Sequence, residues 1–356
     1  MATPPPDNHR PNGREPAELD AKYAKYAKNW GTDMRQDEHP GTDAAYRVPD
    51  FTLPFPERSG PYAETACRDG DSWITRAGLF PDPAVRAKIM AARTGDLATR
   101  AMPFADEDMV LLLNRWILWT LALDEFFDGL PFEDRVTAFD RVFGDVAESL
   151  TTGKADHPMT VALVELWRAT VTPMSAVWER RFRRNTLRFI HAMRVESVHH
   201  TSSPPGIPDY IAERRYSFWC YAAMDLVERA EMFDVPVDVY RSEPYQGLYE
   251  AGADIAGWTN DVFSAPAELA KGEMLTLPGL LMLQQGCALQ SAALQTLGRI
   301  YRRVGDFLDH QARLRVLLDD LRCPAEERDR VIRCADGIAT WLVANHDWHR
   351  RSSRYK

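Results

Sequence analysis

The chain is predicted to be all-α, a single large helical bundle. Apolar residues recur at i, i+3, i+4 and i+7 through nearly everything after Gly60, the period of a helix with one face turned to a core. No run alternates in the manner of a strand, and the breaks between periodic stretches are short Pro, Gly and Ser clusters such as residues 202–208. An apolar fraction of 45% over 356 residues supplies ample core for such a bundle.

Taken in order, residues 1 to about 16 have the composition of a disordered tail, and a Lys-Tyr-Ala repeat between Ala17 and Trp30 predicts a short helix. Gly31 to Arg58 is polar and broken by Pro40, Pro49, Pro54 and Pro56. Residues 1–50 are therefore read as a Pro-rich, flexible extension and 51–356 as one folded domain. Helices are expected over Ala63–Ala77, Asp106–Phe127, Phe132–Leu150, Met159–Ala169 and Pro173–Ser197. Further helices are expected over Pro208–Arg229, Tyr240–Phe263, Leu275–Asp309 and Pro324–His349. Pro173 suits a first helical turn, where a missing N–H costs nothing.

Composition narrows the function. A net charge of −9 argues against a nucleic-acid partner and requires metal ions or a local basic cluster to hold any anionic ligand. Five scattered cysteines without a C-x-x-C suit reduced thiols and give no zinc site. No signal-like apolar segment or membrane-length run is visible. The expectation is a cytoplasmic protein with no membrane partner.

The chemistry concentrates in two stretches. Asn260, Ser264 and Glu268 stand four residues apart, so a helix projects an amide, a hydroxyl and a carboxylate oxygen from nearly one face. Such a set suits Mg²⁺, which takes few protein ligands and leaves its other positions to water or phosphate. Pro266 cannot donate to the Val262 carbonyl, so the helix is expected to kink or loosen there. Upstream, the apolar run Trp116–Leu123 should lie mid-bundle and leads straight into Asp124-Glu125-Phe126-Phe127-Asp128. Acids that follow a buried helix must be exposed, paired or metal-bound.

Together these stretches resemble the class I terpene synthases. Asp124–Asp128 is similar to that family's aspartate-rich motif, and Asn260-Asp261-x-x-Ser264-x-x-x-Glu268 to its second metal motif. The penultimate pair Arg354-Tyr355 is similar to the Arg-Tyr near the C-terminus of bacterial members. Arg214, 46 residues ahead of Asn260, matches the diphosphate-sensing Arg in position, and Lys271 a diphosphate-facing Lys. The resemblance runs from about Phe51 to Tyr355. It implies metal ligands at Asp124, Asp128, Asn260, Ser264 and Glu268, three Mg²⁺ ions, and Arg214, Lys271, Arg354 and Tyr355 acting on the diphosphate. Two positions depart from the family. Glu125 stands where the motif usually has a second Asp, although Asp124 and Asp128 are intact and metal binding is expected to survive. Ser217-Phe218 stands where Asp-Gly often follows the sensor Arg, so the sensing link is expected to run through a backbone carbonyl.

The implied activity is cyclisation of a linear prenyl diphosphate, with farnesyl diphosphate expected and geranyl or geranylgeranyl diphosphate as alternatives. A carbocation needs a dry pocket whose aromatic faces stabilise charge without attacking it. Phe218, Trp219 and Trp341 are the candidates, with Phe127 and Trp116 beside them; ordinary helix packing is the competing account of each ring. A chain-elongating prenyltransferase would be expected to carry two aspartate-rich motifs, and a helical scaffold would leave its acids as surface charge. His199-His200 is read as a solvated helix end, and the basic run 180–184 as balancing nearby acids or facing water. The face from Met159 to Ala169 is able to pair two chains into a homodimer.

Overall fold

The computed structural model describes residues 46–199 and 204–355, which belong to one folded unit beginning at Tyr46. The tail and short helix expected before Tyr46 lie outside the described residues, as does His200. Among the described residues there are α-helices, one closing 3-10 turn and no strand. In chain order the helices are α1 (Ala63–Ala77), α2 (Pro83–Ala91), α3 (Thr94–Ala101), α4 (Glu107–Asp128), α5 (Phe132–Phe143), α6 (Val146–Thr152), α7 (Pro158–Val171) and α8 (Ala176–His199). They continue with α9 (Ile207–Ser217), α10 (Cys220–Ala230), α11 (Val237–Tyr240), α12 (Glu243–Ala270), α13 (Leu277–Gln285), α14 (Leu289–Asp320) and α15 (Ala325–Arg351). The 3-10 turn is Ser353–Tyr355.

Two helices form the framework. α4 starts where Asp106 accepts from the Met109 N–H at 2.9 Å, satisfying one of the free donors of the first turn. It is apolar almost all round, as the Trp116–Leu123 run predicts, and packs against α1, α3 and α7. Trp116 and Trp119 anchor it to α7, their indole N–H groups donating to Thr170 Oγ1 and the Met159 carbonyl, both at 2.9 Å. α12 begins at Ser242, whose hydroxyl caps Tyr245, and packs against α9, α10, α13, α14 and α15. Its run of Ala and Gly from Ala251 to Gly257 lets those neighbours approach closely. A Cβ at Gly252, for example, would come within 2.7 Å of Met224.

The structure differs from the periodic reading at identifiable places. α2 and α3 were not expected; each is short, and α3 exists because Gly95 lets it approach α1, where a Cβ would meet Ala63 O and Cys67 Sγ at 2.7 Å. The expected 132–150 helix divides at Gly144–Asp145, and 275–309 divides at Gly286, which adopts φ 63°. The expected 208–229 helix is broken at Phe218–Trp219. α12 runs past Phe263 and through Pro266 to Ala270 as one element.

The basic run of α8 contributes to the interior. Arg181 pairs with Glu228 at 2.5 Å and Asp225 at 3.2 Å, beneath the Tyr240 ring. On the Met159–Ala169 stretch, Met159, Leu163, Leu166 and Trp167 are buried within the chain, while Val161 is exposed. Ahead of α1, an extended segment is held down by Phe51, Leu53 and Phe55, all buried.

Candidate active site

A cavity of about 300 Å³ lies among α4, α8, α9, α12 and α15. All five residues expected to bind metal line it, as do the four expected to act on diphosphate. So do Phe127, Phe218, Trp219 and Trp341. Trp116 does not. It is fully buried one layer back, stacked on Trp219 at 5.5 Å, with its edge on Trp119 and Phe182. Its hydrogen bond to Thr170 turns the indole toward α7, away from the cavity.

The two acidic stretches are joined across the cavity by basic and aromatic side chains. Arg354 donates to Asp124 and, at 2.6 Å, to Glu125. The next residue, Tyr355, accepts through its hydroxyl from Asn260 Nδ2 at 3.0 Å. Two consecutive residues of the C-terminal turn thus touch α4 and α12 at once. Lys271 makes a second bridge, donating to Asp128 at 2.7 Å. Arg214 donates to Asn260 Oδ1 at 2.7 Å and to Asp261 at 3.0 Å, with the Phe218 ring 5.2 Å away. Asp261 itself is fully buried; Tyr210 and the Leu277 N–H also donate to it, which makes it the structural neighbour of Asn260.

The Pro266 expectation resolves in an instructive way. The Val262 carbonyl, which has no helical donor because of that proline, accepts instead from the Tyr46 hydroxyl at 2.6 Å. One hydrogen bond replaces another, and the helix carries Glu268 onward past the proline.

Asp124 exposes 46% of its side chain and lines the cavity. Burial pushes its carboxyl up to about 6, the Arg354 guanidinium drawing it back and the neighbouring acids lifting it. Glu268 is pushed up by burial to about 8, with Ser264 and Arg214 acting in the opposite direction. Glu196 on α8 is also raised by burial, with Arg214 and a Ser217 hydrogen bond acting in the opposite direction; its Oε2 has no hydrogen-bond partner among the described residues. All three are raised chiefly by burial, which penalises a charged carboxylate held away from water.

The residues present fit a hard cation. Asn260, Ser264 and Glu268 supply amide, hydroxyl and carboxylate oxygens one helical turn apart, and Ser264 Oγ lies beside Glu268 without a well-aligned hydrogen bond to anything. Among the described residues no three His, Cys, Asp or Glu side chains by themselves form a metal cluster.

Several lining residues were not singled out from sequence. Glu196 stands 4.0 Å from Arg214, and Arg135 reaches Glu273 at 3.2 Å and Asp128 at 3.8 Å. His349 faces Asn260 at 3.0 Å. They come from helices remote in sequence, and no local spacing marks them. The break that separates α9 from α10 was equally unmarked, having neither Gly nor Pro. Trp219 takes a left-handed backbone, φ 60°, which costs a bulky residue about 1–3 kcal/mol. Both residues of that break line the cavity.

Comparison with known proteins agrees with this geometry. Residues 115–306 match the family described as terpene synthase family 2, C-terminal metal binding, a span that contains both acidic stretches. The chain is 29% identical over 317 residues to (+)-T-muurolol synthase ((2E,6E)-farnesyl diphosphate cyclizing) of Roseiflexus castenholzii, covering 88% of this chain and 95% of that one. It is 28% identical over 312 residues to pentalenene synthase of Streptomyces avermitilis, covering 86% and 92%. Among solved structures, hedycaryol synthase in complex with nerolidol superposes with a TM-score of 0.73 at 26% identity, covering 85% of this chain and 100% of that one. The α-eudesmol synthase structure, at 24% identity and a TM-score of 0.78 over 85% and 99%, shares the fold. The family match spans more than half of the chain and contains both acidic stretches, and by it this protein belongs to the class I terpene synthases.

Proposed function

We propose that the chain ionises farnesyl diphosphate with Mg²⁺ and cyclises the resulting carbocation to a sesquiterpene, releasing diphosphate. The observation that carries this reading is the double character of one cavity. Acidic and basic side chains from α4, α9, α12 and the C-terminal turn face it together with Phe127, Phe189, Phe218, Trp219 and Trp341. The relatives whose names specify a substrate cyclise farnesyl diphosphate.

Asp124, Asp128, Asn260, Ser264 and Glu268 would hold the metal, with three ions implied by the family resemblance. When bound, Mg²⁺ supplies positive charge to the leaving diphosphate. Arg214, Lys271, Arg354 and Tyr355 donate hydrogen bonds where negative charge develops as the allylic C–O bond breaks. Arg354 and Lys271 pair with the acids of α4. Metal on those acids and diphosphate under those cations therefore favour each other's binding. The aromatic walls exclude water and present π-faces to the cation.

The test is a product assay on purified protein with Mg²⁺ and, separately, geranyl, farnesyl and geranylgeranyl diphosphates, with extracts read by gas chromatography–mass spectrometry. A cyclic fifteen-carbon product from farnesyl diphosphate, lost on chelation, is expected. Cyclic product from another chain length alone would overturn the substrate assignment. A longer linear chain made from dimethylallyl and isopentenyl diphosphates would overturn the cyclase reading.

A further inference from the structure

We infer that His349 is a positioning residue for Asn260, fixing the amide so that Oδ1 is the atom offered to Arg214 and to a bound cation; this rests on the reading of Asn260 as a metal ligand.

The assignment follows from donor and acceptor chemistry, each step forced by the one before. A guanidinium only donates, and Arg214 Nη2 lies 2.7 Å from one terminal atom of the Asn260 amide, so that atom is the oxygen. The other terminus is then the NH₂ group, which carries two hydrogens. It has two neighbours, His349 Nε2 and the Tyr355 hydroxyl, both at 3.0 Å. Facing a donor, Nε2 must present its lone pair. The proton of the neutral ring therefore sits on Nδ1, and Nδ1 lies 2.7 Å from the Asn345 carbonyl oxygen, which only accepts. The chain Arg214–Asn260–His349–Asn345 is consistent in one direction only. Both amide hydrogens are used, and Oδ1 keeps a second lone pair for a cation.

Packing holds the ring in this orientation. His349 is 2% exposed, stacked on Tyr355 at 4.7 Å and tilted against Phe263 at 5.5 Å. An amide turned by 180° would set its NH₂ against the guanidinium and its oxygen against the His lone pair. His349 thus does for Asn260 what outer hydrogen-bond partners do for metal ligands generally: it sets which atom points inward. Loss of such partners typically lowers metal affinity about 10–100-fold.

Two experiments decide the matter. In ¹⁵N-histidine-labelled parent protein without metal or substrate, nuclear magnetic resonance should show His349 as the Nδ1–H tautomer; an Nε2–H tautomer or an imidazolium would overturn the proposal. His349→Phe keeps a ring against Tyr355 but removes the acceptor. The Mg²⁺ concentration giving half-maximal thermal stabilisation by inorganic diphosphate should rise about 10–100-fold in it, and His349→Gln, whose Oε1 accepts, should recover most of that loss. A Phe variant that is folded and matches the parent in Mg²⁺ response would overturn the role. If neither variant folds, the tautomer in the parent decides. None of these readouts uses a prenyl substrate, so failure of the farnesyl diphosphate assignment leaves this result standing, and the reverse.

Discussion

Asn260→Ala is expected to lower diphosphate release from farnesyl diphosphate by at least about 10²-fold while leaving the protein folded. The side chain removed is both a proposed metal ligand and the meeting point of Arg214, His349 and Tyr355. Its loss leaves the Nε2 of His349 and the Tyr355 hydroxyl without their donor, a destabilisation of about 1–3 kcal/mol. The fold survives because Asp261 keeps Arg214, Tyr210 and the Leu277 N–H in place beside it. Rates from a coupled diphosphate assay, set against circular-dichroism melting, check this. Turnover at the parent rate in a folded variant would remove Asn260 from the site.

Arg354→Ala should depress turnover by about 10²–10³-fold, the usual consequence of removing a donor aimed at developing negative charge. Arg354 sits in a turn beyond the last helix and contributes little to the core, so the melting temperature should change far less than the rate. Arg354→Lys restores the charge but not the planar fork that reaches Asp124 and Glu125 together, and should recover only part of the activity. Deleting residues 354–356 also removes Tyr355 from Asn260 and His349, and should depress turnover at least as far as Arg354→Ala. Equal losses of rate and stability would instead make the turn a structural cap.

The parts of the site that were legible in sequence are those whose spacing is local. Asn260, Ser264 and Glu268 share a face because a helix has a fixed period. Asp124 lies at the cavity because an all-apolar helix must run mid-bundle, and its end carries the acids with it. The parts that were not legible depend on contacts between distant segments. Pro266 announced a carbonyl without a donor, but that Tyr46 supplies one, from 216 residues away, is a fact of tertiary packing. At the Trp219 break the ring stacks on Trp116, a contact invisible to any local breaker rule. For Trp116 the packing account holds rather than the pocket one, since periodicity shows that a ring is buried, not which layer it occupies. Glu196 and His349 carry no signal at all until α8 and α15 are set beside α9 and α12.

The central claim is that the side chains of α4, α12 and the C-terminal turn form one site for metal and diphosphate together. Its most direct test is thermal melting of the parent protein across a matrix of Mg²⁺ and inorganic diphosphate concentrations. Stabilisation should appear when both are present, reaching about 2.7 kcal/mol at a hundredfold excess over the dissociation constant, and neither component alone should match it. A melting temperature that stays flat across the matrix would contradict the site.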